Sequence, residues 1–258
     1  MKICHVITRM IVGGAQENTL LSAKGMHEHG HEVVLVTGPS PGPEGELLSQ
    51  GDSPKFEIKV CANLVREISP VADFRAFLFL RRFFKDRKFD VVHTHSSKAG
   101  VIGRLAAKAA GVPLIVHTVH GLAFHRYESH VKNAIYIAAE MLCAKMSDRI
   151  YAVAQAMVDQ CLEAHVGRRE QYKVVYSGME LDKFLNAKPD LELKRKLKIP
   201  DGRPVIGTVA RLFPLKGYEQ FIPAAIKIAE MRPDAHFLIV GDGVMRQEME
   251  STSCAFGL

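Results

Sequence analysis

The sequence predicts an α/β protein built on parallel, doubly wound sheets, with a second and smaller domain after the first. Three observations carry this. Short apolar runs rich in Val and Ile alternate with amphipathic helical patterns along the whole chain. Gly, Pro and polar residues gather where those runs end. Between Ser177 and Arg203 the chain turns polar, with Pro189, Pro200, Asp201 and Gly202, and reads as a connector. The expected division is therefore 1–176, a connector 177–203, and 204–258.

In order, Lys2 to Thr8 (KICHVIT) reads as the first strand, and Gly13-Gly14 as a turn that lets backbone approach a ligand. A helix follows from Glu17 to His29. Val33 to Val36 is the second strand. Thr37 to Ser53 is a Pro- and Gly-rich loop with a short helix near Glu44 to Gln50, and Phe56 to Val60 is a third strand. Val71 to Lys88 is a helix with Phe74, Phe77, Leu78, Leu80, Phe83 and Phe84 as its apolar residues. Between Phe74 and Lys88 it carries Arg75, Arg81, Arg82, Lys85, Arg87 and Lys88 against Asp86 alone. Such a helix either packs on the sheet with solvated cations or lies on an anionic membrane surface.

Asp90 to Thr94 and Pro113 to Thr118 are the next strands, each followed by a helix: one to Ala110, one from Ser129 to Met146. Arg149 to Val153, a helix from Gln155 to His165, and a strand from Lys173 to Tyr176 complete the first half. The connector holds one charged helix, Leu191 to Leu197. In the second half, Val205, Ile206, Val209 and Ala210 form a strand expected to be buried in a parallel sheet. Arg211 stands past its carboxyl end, and Lys216-Gly217 open a helix that carries Phe221, Ile222, Ala225 and Ile228. Ala235 to Val240, the turn Gly241-Asp242-Gly243 and a helix from Val244 follow.

Composition is that of a globular protein, 47% hydrophobic and 24% charged, and the net charge of +6 favours anionic partners without choosing among them. The five cysteines are scattered with no CxxC pair, so neither a disulfide framework nor a zinc site is indicated. With no signal-peptide layout at the amino end and no apolar run of about 18 residues, the expected place is the cytoplasm, with membrane-surface contact through 74–88 as the further option. GxSxG and GxxxxGK[ST] are both missing, which removes the motifs of serine hydrolases and P-loop NTPases. Nucleic-acid binding is not expected.

Ligands of open α/β sheets bind beyond the carboxyl ends of strands. Arg211 and Lys216, with a helix amino end between them, therefore make a diphosphate site, the plain alternative being two loop cations. His93, His95, His117 and His120 stand at or near two strand ends. Two of them are expected to face a core or neighbouring helix, and no carboxylate or cysteine converges with them to hold a metal. His120, beside Gly121, is the one best placed to point into a cleft.

Six segments then show a resemblance: VGGAQ, HTHSSKAGVIGRLAA, VHTVHGLAFH, SGMELDKF, VARLFPLKG and VGDG. Together and in this order, from Gly13 to Gly243, they resemble the family 4 glycosyltransferases of the GT-B fold, with two Rossmann-like domains. The resemblance implies transfer of a sugar from a nucleotide-sugar donor to an acceptor hydroxyl with retained configuration and usually without a metal. No cofactor is expected. The acceptor, a glycan or lipid-linked one of envelope or exopolysaccharide synthesis, is implied to sit on the amino-terminal domain. Arg211 and Lys216 match the pair that grips the donor diphosphate. Gly13 and Gly14 match the loop over phosphates and acceptor, His120 the histidine near the reacting sugar, and Gly241 and Gly243 the turn beside the nucleotide. Ser177 and Glu180 replace the Asn and Asp of the family pattern and receive no contact.

Family members carry, beyond the Gly-Asp-Gly turn, two Glu residues separated by seven others, one for the sugar and one for the ribose. This sequence stops before that motif and is read as truncated. An inactive fragment or non-catalytic binding subunit is the alternative reading, and a sugar-nucleotide 2-epimerase a further one.

Overall fold

The computed structural model describes residues 1–40, 45–49 and 53–255. The described residues form two compact units, Met1–Leu181 and Asp182–Leu258. The expected connector is thus shared between them. It holds two helices rather than one, Asp182–Leu185 and Leu191–Lys196.

The first unit has seven strands: β1 Lys2–Ile7, β2 Glu32–Thr37, β3 Glu57–Val60, β4 Val91–His95, β5 Leu114–Val119, β6 Arg149–Ala152 and β7 Tyr172–Val174. They lie in the order β3-β2-β1-β4-β5-β6-β7, and every pairing is parallel. Chain order reverses between β1 and β4, the point where such sheets bind ligands. Helices α1 Gly14–Glu28, α2 Pro70–Arg87, α3 Ser97–Ala110, α4 His130–Ala144 and α5 Gln155–Glu163 connect the strands. The helix expected from Glu17 begins at Gly14: of the Gly-Gly that reads as a turn, Gly13 is the extended cap position and Gly14 the first helical residue. Of the short helix expected near 44–50, Leu47–Ser49 is one 3-10 turn, and its two ends lie outside the described residues.

Strands buried on both faces explain the continuous Val/Ile runs. In β4 every residue is buried. The largest core cluster joins Cys4, Val6, Val34, Val92, Leu80 and Phe84, with α2 and α3 lying over the sheet. Leu80 and Phe84 are 0% and 1% exposed, each worth about 1.5–3 kcal/mol in removed apolar surface. Small residues let α3 approach closely. A Cβ on Gly103 would stand 2.7 Å from Thr94 Cγ2, and one on Gly100 2.7 Å from His117 Cε1. Beneath the helix lies Arg104, 0% exposed. Its Nε donates to the Gly100 carbonyl at 2.7 Å, and one Nη donates to Glu140 of α4 at 2.7 Å.

The second unit contains helices α6 Asp182–Leu185 and α7 Leu191–Lys196, strand β8 Val205–Val209, helix α8 Tyr218–Met231, strand β9 His236–Val240 and helix α9 Arg246–Ala255. β8 pairs with β9 in parallel. The expectation that β8 is buried is corrected: its residues alternate exposed and half-buried, with Val209 83% exposed. Among the described residues β8 has a single neighbouring strand, so one edge and one face lack cover. The core of this unit is Leu212, Tyr218, Ile222 and Met249.

Candidate active site

At the carboxyl edge of the first sheet, β1 ends just before Thr8 and β4 runs into Ser96. Ser96 has φ 61°, an uncommon and costly conformation for serine. Its hydroxyl lies 2.8 Å from Thr8 Oγ1. Thr8 Oγ1 also accepts the Ala99 backbone N–H at 3.1 Å, in the first turn of α3. The strained turn is thus held from the neighbouring strand. Gly13 precedes α1 in extended backbone, and Gly14 is exposed with open space where a Cβ would be. Among the described residues, nothing packs against the position a Cβ would take at Gly14.

Histidines fill the interior at this edge. His93 and His95 face one side of the sheet, and His117 faces the other, against Thr94. His93 Nε2 lies 2.7 Å from Thr118 Oγ1. His5, in the middle of β1, pairs in register with His93. His5 Nδ1 is 3.0 Å from His95 Nε2, and His95 Nδ1 is 3.0 Å from His120 Nε2. The expectation that two of the four later histidines face inward falls short by one: His93, His95 and His117 are all buried, and His120 alone is half-buried. His5 is a member of the cluster that reading the chain segment by segment misses. Its signal was there: strands β1 and β4 each carry a mid-strand His, and matching the two strands residue to residue brings them side by side. Nitrogen atoms of His5, His93 and His95 lie within 4.8 Å of one another, so among the described residues these three are the set that could hold a metal ion.

Burial sets the protonation of the cluster. Desolvation lowers His5 and His120 from 6.5 to about 4. His93, His95 and His117 are pushed well below 6.5, by burial first and then by neighbouring rings, with Arg104 adding to the effect at His117. All five rings are therefore neutral near pH 7. An unfolded chain would bind protons at these residues near 6.5, so it holds more protons than the folded chain between about 6.5 and 4. Stability is then complete above about pH 7 and falls as pH drops through that window. His5, fully buried, contributes to this loss in the same direction. The midpoint of urea unfolding should drop clearly between pH 7 and pH 5, before most carboxylates titrate. A flat profile over that range would contradict the buried neutral cluster.

In the second unit, backbone bonds extend the β8–β9 ladder past both strands. Ala210 N–H donates to the Val240 carbonyl at 3.1 Å, Leu212 N–H to that of Asp242 at 2.9 Å, and Met245 N–H to that of Leu212 at 3.0 Å. The approach requires glycine: a Cβ on Gly241 would stand 1.9 Å from the Ala210 carbonyl oxygen. Gly243 has φ 153°, and its Cβ would meet the Leu212 oxygen at 2.4 Å. Both glycines therefore shape the loop that carries Arg211. The Arg211 guanidinium lies 5.1 Å from the Phe213 ring centroid. Arg211 and Lys216 are both exposed, on the loop between β8 and α8. Gly217, with φ 82°, turns the chain into α8 without a side-chain cap, and Tyr218 Oη donates to the Ala210 carbonyl at 3.2 Å. Of the predicted residues, Gly13, Gly14 and His120 thus belong to the first unit, and Arg211, Lys216, Gly241 and Gly243 to the second.

A single parallel sheet with its switch point at β1 and β4, followed by a separate β-α-β unit with a cationic loop, is the chain plan of GT-B glycosyltransferases. The comparisons with known proteins place the chain more closely. It belongs to the glycosyl transferase 4-like family, whose domain model matches residues 13–178, and residues 190–258 match the model of the glycosyl transferases group 1. It is 32% identical over 253 residues, 97% of this chain, to the UDP-Gal:alpha-D-GlcNAc-diphosphoundecaprenol alpha-1,3-galactosyltransferase of Escherichia coli, of which it spans 64%. It is 30% identical over 216 residues, 79% of this chain, to the D-inositol 3-phosphate glycosyltransferase of Thermobispora bispora, spanning 45% of it. The fold matches that of Anabaena Alr3699/HepE in complex with UDP and glucose, with a TM-score of 0.77 at 21% identity, over 100% of this chain and 67% of that one. The chain therefore spans less than two thirds of the length of both these sequence relatives.

Proposed function

We propose that the protein transfers a sugar, with retention, from a UDP-sugar to a hydroxyl of a lipid-linked acceptor. The observation that carries this reading is the loop from Arg211 to Lys216, whose two cations are exposed and whose path is set by Gly241 and Gly243 between the end of β8 and the start of α8. Cleavage of the bond from sugar to diphosphate builds negative charge on the leaving phosphate. Fixed cations and helix amides aimed at that charge act mainly in the transition state. Arg211 clamps phosphate oxygens with two donors, and Lys216 adds a point charge. Within the first unit, the open space over Gly14 admits an acceptor against backbone amides of α1, and His120 presents a half-buried ring at the carboxyl edge of the sheet. UDP is favoured as the leaving nucleotide because the E. coli relative is named for UDP-Gal and the Anabaena neighbour holds UDP.

A lipid-linked acceptor is supported by that relative's name and by one face of α2. Val71, Phe74 and Leu78 are 64%, 60% and 44% exposed. Arg75, Arg82 and Lys85 follow on the same helical face. Apolar residues beside cations suit the surface of an anionic membrane. Among the described residues no helix is long and apolar enough to cross one. The test is incubation of the protein with UDP-galactose and a polyprenyl-diphosphate sugar, reading UDP release. Acceptor-dependent release supports the proposal, and no release with any UDP- or GDP-sugar would overturn it.

A further inference from the structure

Three imidazoles form a hydrogen-bonded file from the first unit's core to its carboxyl edge, and a sulfur atom closes the inner end. Met26, on α1, places its Sδ 3.3 Å from His5 Nε2. The file continues from His5 Nδ1 to His95 Nε2 and from His95 Nδ1 to His120 Nε2, at 3.0 Å each. His5 and His95 are 0% and 1% exposed. His120 Nδ1 has no hydrogen-bond partner among the described residues.

A neutral imidazole has one N–H and one lone pair, on different nitrogens. Each contact in the file needs one of each, so the tautomer of one ring dictates the next. A thioether sulfur has no hydrogen and only accepts. His5 therefore carries its hydrogen on Nε2, toward Met26, and offers a lone pair at Nδ1. His95 donates to it from Nε2 and accepts at Nδ1. His120 donates from Nε2. We infer that Met26 fixes the tautomer of His120 through two buried imidazoles, so that His120 presents a lone pair on Nδ1 and accepts a hydrogen bond from a hydroxyl group. In the opposite sense a His5 lone pair would face the sulfur lone pairs, and His120 Nδ1 would become a donor suited to phosphate or carboxylate. Met26 and His5 are positioning residues in this account, acting through His95.

That the hydroxyl belongs to a sugar rests on the function proposed above; the tautomers do not. Long-range proton–nitrogen spectra of the nitrogen-15-labelled chain above pH 7 report each ring directly. The expected result is Nε2–H with a pyridine-type Nδ1 at His5, His95 and His120, with exposed His130 as the averaged reference. Met26→Leu removes the acceptor at similar volume, and the Nδ1–H population of His120 should rise severalfold. Wild-type Nδ1–H at His120 would overturn the inference, as would a His120 tautomer unmoved by Met26→Leu. Ring signals displaced by chelator or by added zinc would also overturn it, in favour of a metal at His5, His93 and His95. Should Met26→Leu not fold, the wild-type spectra decide alone. No substrate is needed, so failure here leaves the transferase reading standing, and absence of turnover leaves the spectra standing.

Discussion

Arg211→Ala is expected to lower the rate of UDP release by about 10²–10³-fold, the loss typical for one preorganised donor at a developing anion. The side chain is exposed and stacks near Phe213 on the same loop, and thermal unfolding of the variant separates a loss of chemistry from a loss of fold. Arg211→Lys keeps the charge but loses the two-pronged grip, and should fall between wild type and Ala. Lys216→Ala should cost less than Arg211→Ala. The effect belongs in kcat more than in KM, since the charge being met grows as the bond breaks. Steady-state release in an enzyme preparation that turns over UDP-galactose, alongside thermal unfolding of each variant, is the measurement. An Arg211→Ala rate within threefold of wild type would remove this loop from the chemistry.

Glu140→Ala is expected to be strongly destabilising. It strands the guanidinium of Arg104, fully buried, whose ion pair with Glu140 spans 2.7 Å. One further guanidinium nitrogen is already buried without a partner. Removing one member of a buried pair leaves an uncompensated charge and costs about 3–5 kcal/mol. For a chain of this size that is a fall in melting temperature of roughly 10 °C. Arg104→Met should be milder, because it removes the charge and keeps much of the volume, while Glu140 retains some exposure to water. Circular-dichroism melts of both variants check this ordering. A Glu140→Ala loss under about 1 kcal/mol would mean the pair is not holding α3 to α4.

What could be read from the residues followed what physics writes locally. All seven strands of the first sheet were legible within a residue or two; in β1, β2, β4 and β5 this is because strands buried on both faces need continuous apolar sequence. The cationic loop was legible because Arg, Pro, Lys and Gly cluster between a strand and a helix. Other features depend on contacts between distant segments. β8 reads as buried from its composition, yet among the described residues only one strand lies beside it. His5 looks like one polar residue in an apolar strand until register places it opposite His93. The burial of Arg104 follows from the meeting of α3 with α4, which no local pattern in the sequence shows. Gly241 and Gly243 read as a nucleotide turn, and the structure adds the steric reason they must be glycine.

Calorimetric titration of the chain with UDP tests the central claim most directly, because it needs no acceptor and no turnover. The account predicts a single-site heat that weakens about tenfold or more, near 1.4 kcal/mol or above, in the Arg211→Ala/Lys216→Ala variant. No heat with UDP or GDP, or an identical isotherm in the double variant, would contradict a diphosphate site between β8 and α8.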